Sequence, residues 1–447
     1  MEPSDPAANL PPGDANAHAP HPPPGSPPEV PGDWPPQMPE AGIQSPLPPG
    51  NGRQPMRSPL WMALLAGIIV YFLLLAAGAV LGFADEVRLF AASGLEYLPF
   101  VPLCVLAYAG RSNATARAMA VLYWFFLVCG TALVVWILTA RTLIDPDALQ
   151  SLMSGRGLLT SGMRSTVASV ILVPVSLFGV GLGVLVGVLA YLPAVRRWAA
   201  VVVPIDPESL VDATALATVL GLTTIAFVPL AVLGEPPLLL LTPLVGEMKQ
   251  KQGAQVNSEE LRETIYGFLW LVPCTIVCVG YPIRRTFREA LQRLGLVRPR
   301  VWQLALALLL VPVMVGSMNG IDHLIERIWE YFNWSRTDES AFNELMEFAR
   351  NPAGAVVIGV TAGLGEELAV RGMLQPRLGI LLSNLFFTGL HALQYNWDGL
   401  ASVFLIGLTL GVVRKYTNTT TSAVVHGGYD FVLVMLDVIA QALGGGN

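Results

Sequence analysis

From residue 57 onward the chain is a succession of apolar runs, most of them roughly the 20 residues that a helix needs to cross the hydrocarbon core of a bilayer. No other feature limits the fold as much. Inside lipid every backbone N–H and C=O must be satisfied within the protein, so runs of this kind fold as helices. They lie near 60–83, 88–110, 118–140, 166–192, 215–234, 265–283, 301–318, 353–374, 378–394, 400–416 and 421–443. The expected fold is all-α, a polytopic transmembrane helix bundle of about eleven spans. Charge supports this: only 13% of the residues are Asp, Glu, Lys or Arg, against roughly 25% in a soluble domain. The net charge of −6, with Lys249, Lys251 and Lys415 as the only lysines, excludes nucleic acid as a partner. Cys104, Cys129, Cys274 and Cys278 sit in apolar runs and make no disulfide framework.

Three regions follow. Residues 1–56 hold 18 of the 36 prolines, six acidic residues and one Arg, with no apolar period, and are expected to form a disordered Pro-rich tail. Residues 57–300 carry six spans of no assignable role, and residues 301–447 carry the rest. The loop 284–300, with Arg284, Arg285, Arg288, Arg293, Arg298 and Arg300, is expected on the cytoplasmic side. Counting from it puts the N-terminus inside and the C-terminus outside, although the loop 141–165, with Arg141, Arg156 and Arg164, breaks the pattern. Within 319–352, the stretch Ile321–Trp334 has apolar residues at helical spacing and is expected to lie as a separate amphipathic helix at the membrane interface.

Ionisable residues inside apolar spans cost at least a few kcal/mol, which makes each a functional candidate. They gather near the C-terminus in three motifs: Gly365-Glu366-Glu367-Leu368-Ala369-Val370-Arg371-Gly372, then Phe386-Phe387-Thr388-Gly389-Leu390-His391, then His426-Gly427-Gly428-Tyr429-Asp430. Glu367 and Arg371 are four apart and share a helix face, so Arg371 should hold Glu367 as a carboxylate. Glu366 is turned about 100° away and is free to serve as a general base. Gly363, Gly365 and Gly372 would let neighbouring helices approach closely. Phe387 and His391 share a face, as do His426 and Asp430, so Asp430 can orient the His426 imidazole. Glu366 taking a proton from water, His391 positioning that water and His426 stabilising an oxyanion would make a hydrolytic set.

Glu-Glu-x-x-x-Arg, Phe-x-x-x-His and His-x-x-x-Asp on successive C-terminal spans resemble the CPBP intramembrane protease family, which includes the type II CAAX prenyl endopeptidases and bacterial homologues linked to bacteriocin immunity. The resemblance covers about residues 301–447. It implies an endopeptidase acting on membrane-anchored, CAAX-type prenylated substrates in the plasma membrane of a bacterium. By the same resemblance Glu366 and His391 would activate the water, His426 and Asp430 would form the oxyanion site, and Glu367, Arg371 and Phe387 would support them. Eukaryotic members carry Asn where this chain has Asp430. An ionised Asp cannot donate to an oxyanion, so Asp430 would be protonated or act through His426.

Two alternatives stay open on the sequence. His391, His426 and Glu366 could instead ligate zinc and leave one position for water, although no His-Glu-x-x-His motif is present. The chain could also be a non-catalytic membrane binding or immunity protein.

Overall fold

The computed structural model describes residues 61–62, 64–71, 73, 85–143, 163–240, 242 and 254–444. The Pro-rich tail and most of the 60–83 run fall outside them. The helices that frame the site are α1 (Asp85–Ser93), α2 (Phe100–Ala109), α3 (Ala114–Leu143), α4 (Met163–Leu189), α5 (Leu210–Leu233), α6 (Ala254–Cys278), α7 (Phe287–Leu294), α8 (Val301–Phe332), α9 (Pro352–Val360), α10 (Gln375–Leu390), α11 (Trp397–Tyr416) and α12 (Thr419–Ala442). There is no strand among the described residues. Local chemistry fixes many of the ends. Ser209, Asn351 and Asn418 accept the first free backbone N–H groups of α5, α9 and α12. Thr286 and Glu289 close a capping box on α7. Gly234 and Gly295 end α5 and α7 in the left-handed conformation that a glycine adopts without strain.

Eight helices among the described residues are long and apolar enough to cross a membrane. One span differs from expectation. The run 88–110 forms no membrane-length helix: Gly94 to Pro99 break it into α1 and α2, and the ten residues of α2 reach only about 15 Å at 1.5 Å each. The runs 353–374 and 378–394 are two helical segments of the stretch Pro352–Leu393, divided at Gly379, where φ is 74°. The separate interfacial helix does not form either. Ile321–Phe332 continues α8 without interruption, because nothing between Val301 and Phe332 removes a helical hydrogen bond except Pro312, which the helix absorbs.

Packing is continuous across residue 300. Leu374 and Leu378 belong to the same buried cluster as Trp124, Leu216 and Ile225 of α3 and α5, and Leu368 packs with Ile276, Val279 and Leu294. Polar ties brace the same joint. Arg377 donates to Asp212 and, at 2.8 Å, to the Tyr108 hydroxyl. Arg293 donates to the Gly372 carbonyl at 3.2 Å. Burial of the Arg293 guanidinium, with Arg377, Arg285 and Arg414 nearby, lowers its pKa to about 9. Cys274 and Cys278 are buried thiols in an apolar cluster, as expected of core residues.

The glycines of the first motif do bring helices together. A Cβ on Gly363 would lie 2.5 Å from the Gly427 Cα, and one on Gly427 would lie 2.1 Å from the Gly359 carbonyl oxygen. Both obstacles are backbone, so neither can swing aside. We expect Gly427→Ala to cost about 1–3 kcal/mol by forcing α9 and α12 apart. The check is the Tm of the purified protein against Gly316→Ala, where nothing lies within 4 Å of the added carbon. Equal Tm values would contradict the close approach.

Candidate active site

The Glu366-Glu367 pair sits where the backbone leaves the α-helical pattern. Thr361–Glu366 and Leu368–Leu374 are wound as π-helix, a form that is rare and concentrated at functional sites. The two adjacent glutamates meet opposite surroundings, as their sequence offset predicts. The Glu367 side chain is 0% exposed, whereas that of Glu366 is 37% exposed and faces a cavity of about 860 Å³.

Glu367 is held from three sides. Its Oε1 is 3.4 Å from Arg371 Nε and 3.2 Å from His426 Nδ1, and its Oε2 accepts from the Ser422 hydroxyl. Arg371, also fully buried, extends over the Phe387 ring at 5.1 Å from its centroid and donates to Asn384 Oδ1 at 3.3 Å. Asn384 in turn donates to the Phe404 carbonyl of α11 at 2.8 Å. One ion pair thereby ties together the π-helical segment, α10, α11 and α12. The pairing of Glu367 with Arg371 is the one the four-residue spacing predicts. Its extension to His426 is not visible in either motif alone, since the two lie on different helices.

His426 stands among three carboxylates. Nδ1 faces Glu367, while Nε2 lies 3.4 Å from Asp430 Oδ2 and 4.0 Å from Glu366 Oε2. The pairing of His426 with Asp430 follows the expected helix face. His391 lines the same cavity, and its Nδ1 is 2.9 Å from the Phe387 carbonyl oxygen. A carbonyl can only accept, so Nδ1 carries the hydrogen and, in the neutral ring, Nε2 is left as an acceptor. Phe387 packs on both imidazoles, with centroids 4.7 Å from His391 and 6.1 Å from His426. Glu366, Phe387, His391, His426 and Asp430 all line the one cavity.

Several participants escaped the sequence reading. Ser422 lies one turn before His426 on the same face, and Asn384 three residues before Phe387, so helical spacing could have found both. Tyr395 and Asp322 also line the cavity, Tyr395 with its ring 6.2 Å from that of His391. Asp322 belongs to a helix far away in sequence, and no local signal marks it. At the cavity's edge Arg350 is clamped by Asp437, with Nε 2.6 Å and Nη2 2.9 Å from the carboxylate. That bond raises the pKa of the guanidinium.

The arrangement gives no support to a zinc ion held by His391, His426 and Glu366. Among the described residues no three His, Cys, Asp or Glu side chains are grouped to hold a metal ion. Both nitrogens of His426 face carboxylates of the surrounding network. No step is therefore derived through a metal.

Searches of the curated proteins and of the solved structures found no match. The family model of the type II CAAX prenyl endopeptidase Rce1-like proteins matches residues 349–432, and that stretch contains Glu366, Glu367, Arg371, Phe387, His391, His426 and Asp430. This multi-pass membrane protein thus carries, across residues 349–432, an Rce1-like domain of the CPBP intramembrane protease family.

Proposed function

We propose that the protein is a glutamate-type intramembrane endopeptidase that hydrolyses peptide bonds of membrane-anchored substrates, CAAX-type prenylated ones among them. The observation that carries the reading is the contrast between the neighbouring glutamates. Glu367 is buried and fully engaged, while Glu366 faces the cavity 4.0 Å from His426.

Glu366 takes a proton from a water molecule as the water oxygen attacks the scissile carbonyl carbon. His391 Nε2, fixed as an acceptor by the bond at Nδ1, orients that water. His426 donates from Nε2 to the oxyanion as the tetrahedral intermediate forms, and Glu367 at Nδ1 holds the ring in place. Glu366 then returns its proton to the leaving nitrogen, and the C–N bond breaks to give a carboxylate and an amine. Asp430, 3.4 Å from His426 Nε2, acts through that imidazole and does not touch the oxyanion. Its carboxylate steadies the ring between turnovers and yields Nε2 to the substrate.

The test is cleavage of a farnesylated peptide by the purified full-length protein in lipid nanodiscs, with products identified by mass spectrometry. Wild type is expected to cut at one bond. His391→Ala should lower kcat by about 10²-fold, the scale on which a misplaced reactant costs rate. Full activity of His391→Ala would remove that residue from the mechanism, and an uncut peptide would count against the endopeptidase.

A further inference from the structure

Tyr395 stands four residues after His391, in the turn that joins α10 to α11. The backbone of that turn is pinned. The Tyr395 N–H donates to the His391 carbonyl at 3.0 Å. Next to it the Asn396 N–H donates to Thr337 Oγ1 at 3.0 Å, and the Asn396 side chain accepts from the Trp397 N–H that opens α11. The Tyr395 ring is held as firmly. The Phe342 ring lies 4.9 Å from it and the His391 ring 6.2 Å, and it packs on the buried cluster of Leu230, Ala392 and Leu400. Gly399 makes the room for it: a Cβ there would meet the Tyr395 ring carbon Cδ1 at 2.6 Å and its Cβ at 3.0 Å. The direction of this side chain is therefore set by packing before any substrate arrives.

The hydroxyl at the end of this fixed ring has no hydrogen-bond partner among the described residues, although a tyrosine hydroxyl taken out of water usually finds one. Tyr395 lines the same cavity as Glu366, His391, His426 and Asp430. Burial raises its pKa, and the side chains of Asp430, Tyr429 and Glu366 raise it further. The phenol therefore keeps its proton and is a donor. Donors are what the chemistry needs, since an oxyanion is stabilised by groups aimed at it before the charge forms. Glu366 and Asp430, as carboxylates, only accept. The Nδ1 hydrogen of His391 is committed to the Phe387 carbonyl, and the Arg350 guanidinium to Asp437. Tyr429 lines the cavity too, but its ring belongs to the buried cluster of Met314, Met318 and Leu410.

We propose that the Tyr395 hydroxyl is a catalytic hydrogen-bond donor which, together with His426 Nε2, holds the oxyanion of the tetrahedral intermediate. The proposal rests on the endopeptidase reading and adds to it a residue outside the three motifs. As the water oxygen bonds to the scissile carbonyl carbon, the π pair of the C=O bond moves onto the carbonyl oxygen and Glu366 holds the water's proton. The phenol O–H donates to that oxygen. When the intermediate collapses, the pair returns to the C=O bond, the C–N bond breaks and Glu366 passes its proton to the leaving nitrogen. Tyr395 neither gains nor loses a proton in either step. Its hydrogen bond is strongest while the charge sits on the oxygen, which is the condition for raising kcat more than it lowers KM. The ring's fixed direction supplies this bond without reorganisation during the reaction.

The experiment uses full-length protein in lipid nanodiscs. Tyr395→Phe removes one oxygen and keeps the ring between Phe342, His391 and Gly399. It is expected to lower kcat on the farnesylated peptide by about 10²-fold, the scale of one lost oxyanion donor, with KM changed by less than about threefold. The second measurement is binding. In the Glu366→Gln background, Kd is taken for the peptide and for its phosphinate analogue, in which a tetrahedral anionic phosphorus group replaces the scissile amide. The analogue should bind more tightly, and adding Tyr395→Phe should cut that advantage by about tenfold, the loss of one hydrogen bond to a charged group. Each advantage is a ratio within one protein, so a partial loss of folded material does not move it. Wild-type kcat in Tyr395→Phe with an undiminished advantage for the analogue would overturn the proposal. So would a rise in KM alone, which makes Tyr395 a substrate-binding group, or equal Kd values for peptide and analogue with Tyr395 in place. Tyr429→Phe is measured alongside, and a loss there with none in Tyr395→Phe would overturn it as well. If wild type cuts nothing, the endopeptidase reading fails on its own, and the ratio of Kd values still decides whether Tyr395 holds a tetrahedral anion.

Discussion

Arg371→Ala is expected to destabilise the protein by about 3–5 kcal/mol, the cost of leaving one partner of a buried ion pair without the other. Arg371 and Glu367 are both 0% exposed, and no solvent can replace the lost guanidinium. The same side chain covers the Phe387 ring and bonds to Asn384, so its removal also opens the junction of α10 and α11. Arg371→Lys should recover only part of the loss. An ammonium is a compact point charge and cannot pair with Glu367, reach Asn384 and lie over a ring at once. The sharper check is the double variant Glu367→Gln/Arg371→Met, which removes both charges. It should be less destabilised than the sum of its single variants, because no uncompensated charge remains. Tm values of the four purified proteins, each in the same lipid, give the coupling. Arg371→Ala with the wild-type Tm would show that the pair does not hold the site together.

The sequence revealed those parts of the fold that depend on local rules. Membrane-length helices are legible because lipid leaves the backbone no other choice, and the helix faces of Glu367–Arg371 and His426–Asp430 follow from four-residue spacing. Contacts between helices were less legible. Glu367 bonding to His426 and Asp322 facing the cavity depend on how distant helices pack, and no local pattern encodes that. Span ends failed where two signals competed. Hydropathy favours one long run at 88–110, but Gly94 and Pro99 break it. The amphipathic pattern after Gly320 suggests a separate helix, yet no residue there interrupts α8. The π-helical winding of 361–374 had no sequence signal that we used, and it moves the two glutamates by less than would part Glu367 from Arg371.

The central claim is that Glu366 is the base. Glu366→Gln keeps the size of the side chain, exchanges one acceptor oxygen for an NH2 donor, and removes the charge and the ability to take a proton. The pair Glu367–Arg371 that braces the site does not depend on Glu366, so the variant should keep the wild-type Tm. The decisive measurement is kcat for wild type and Glu366→Gln on the same farnesylated peptide in nanodiscs. The account predicts a loss of about 10²–10⁴-fold, the contribution of a general base; cleavage by Glu366→Gln at the wild-type rate would contradict it.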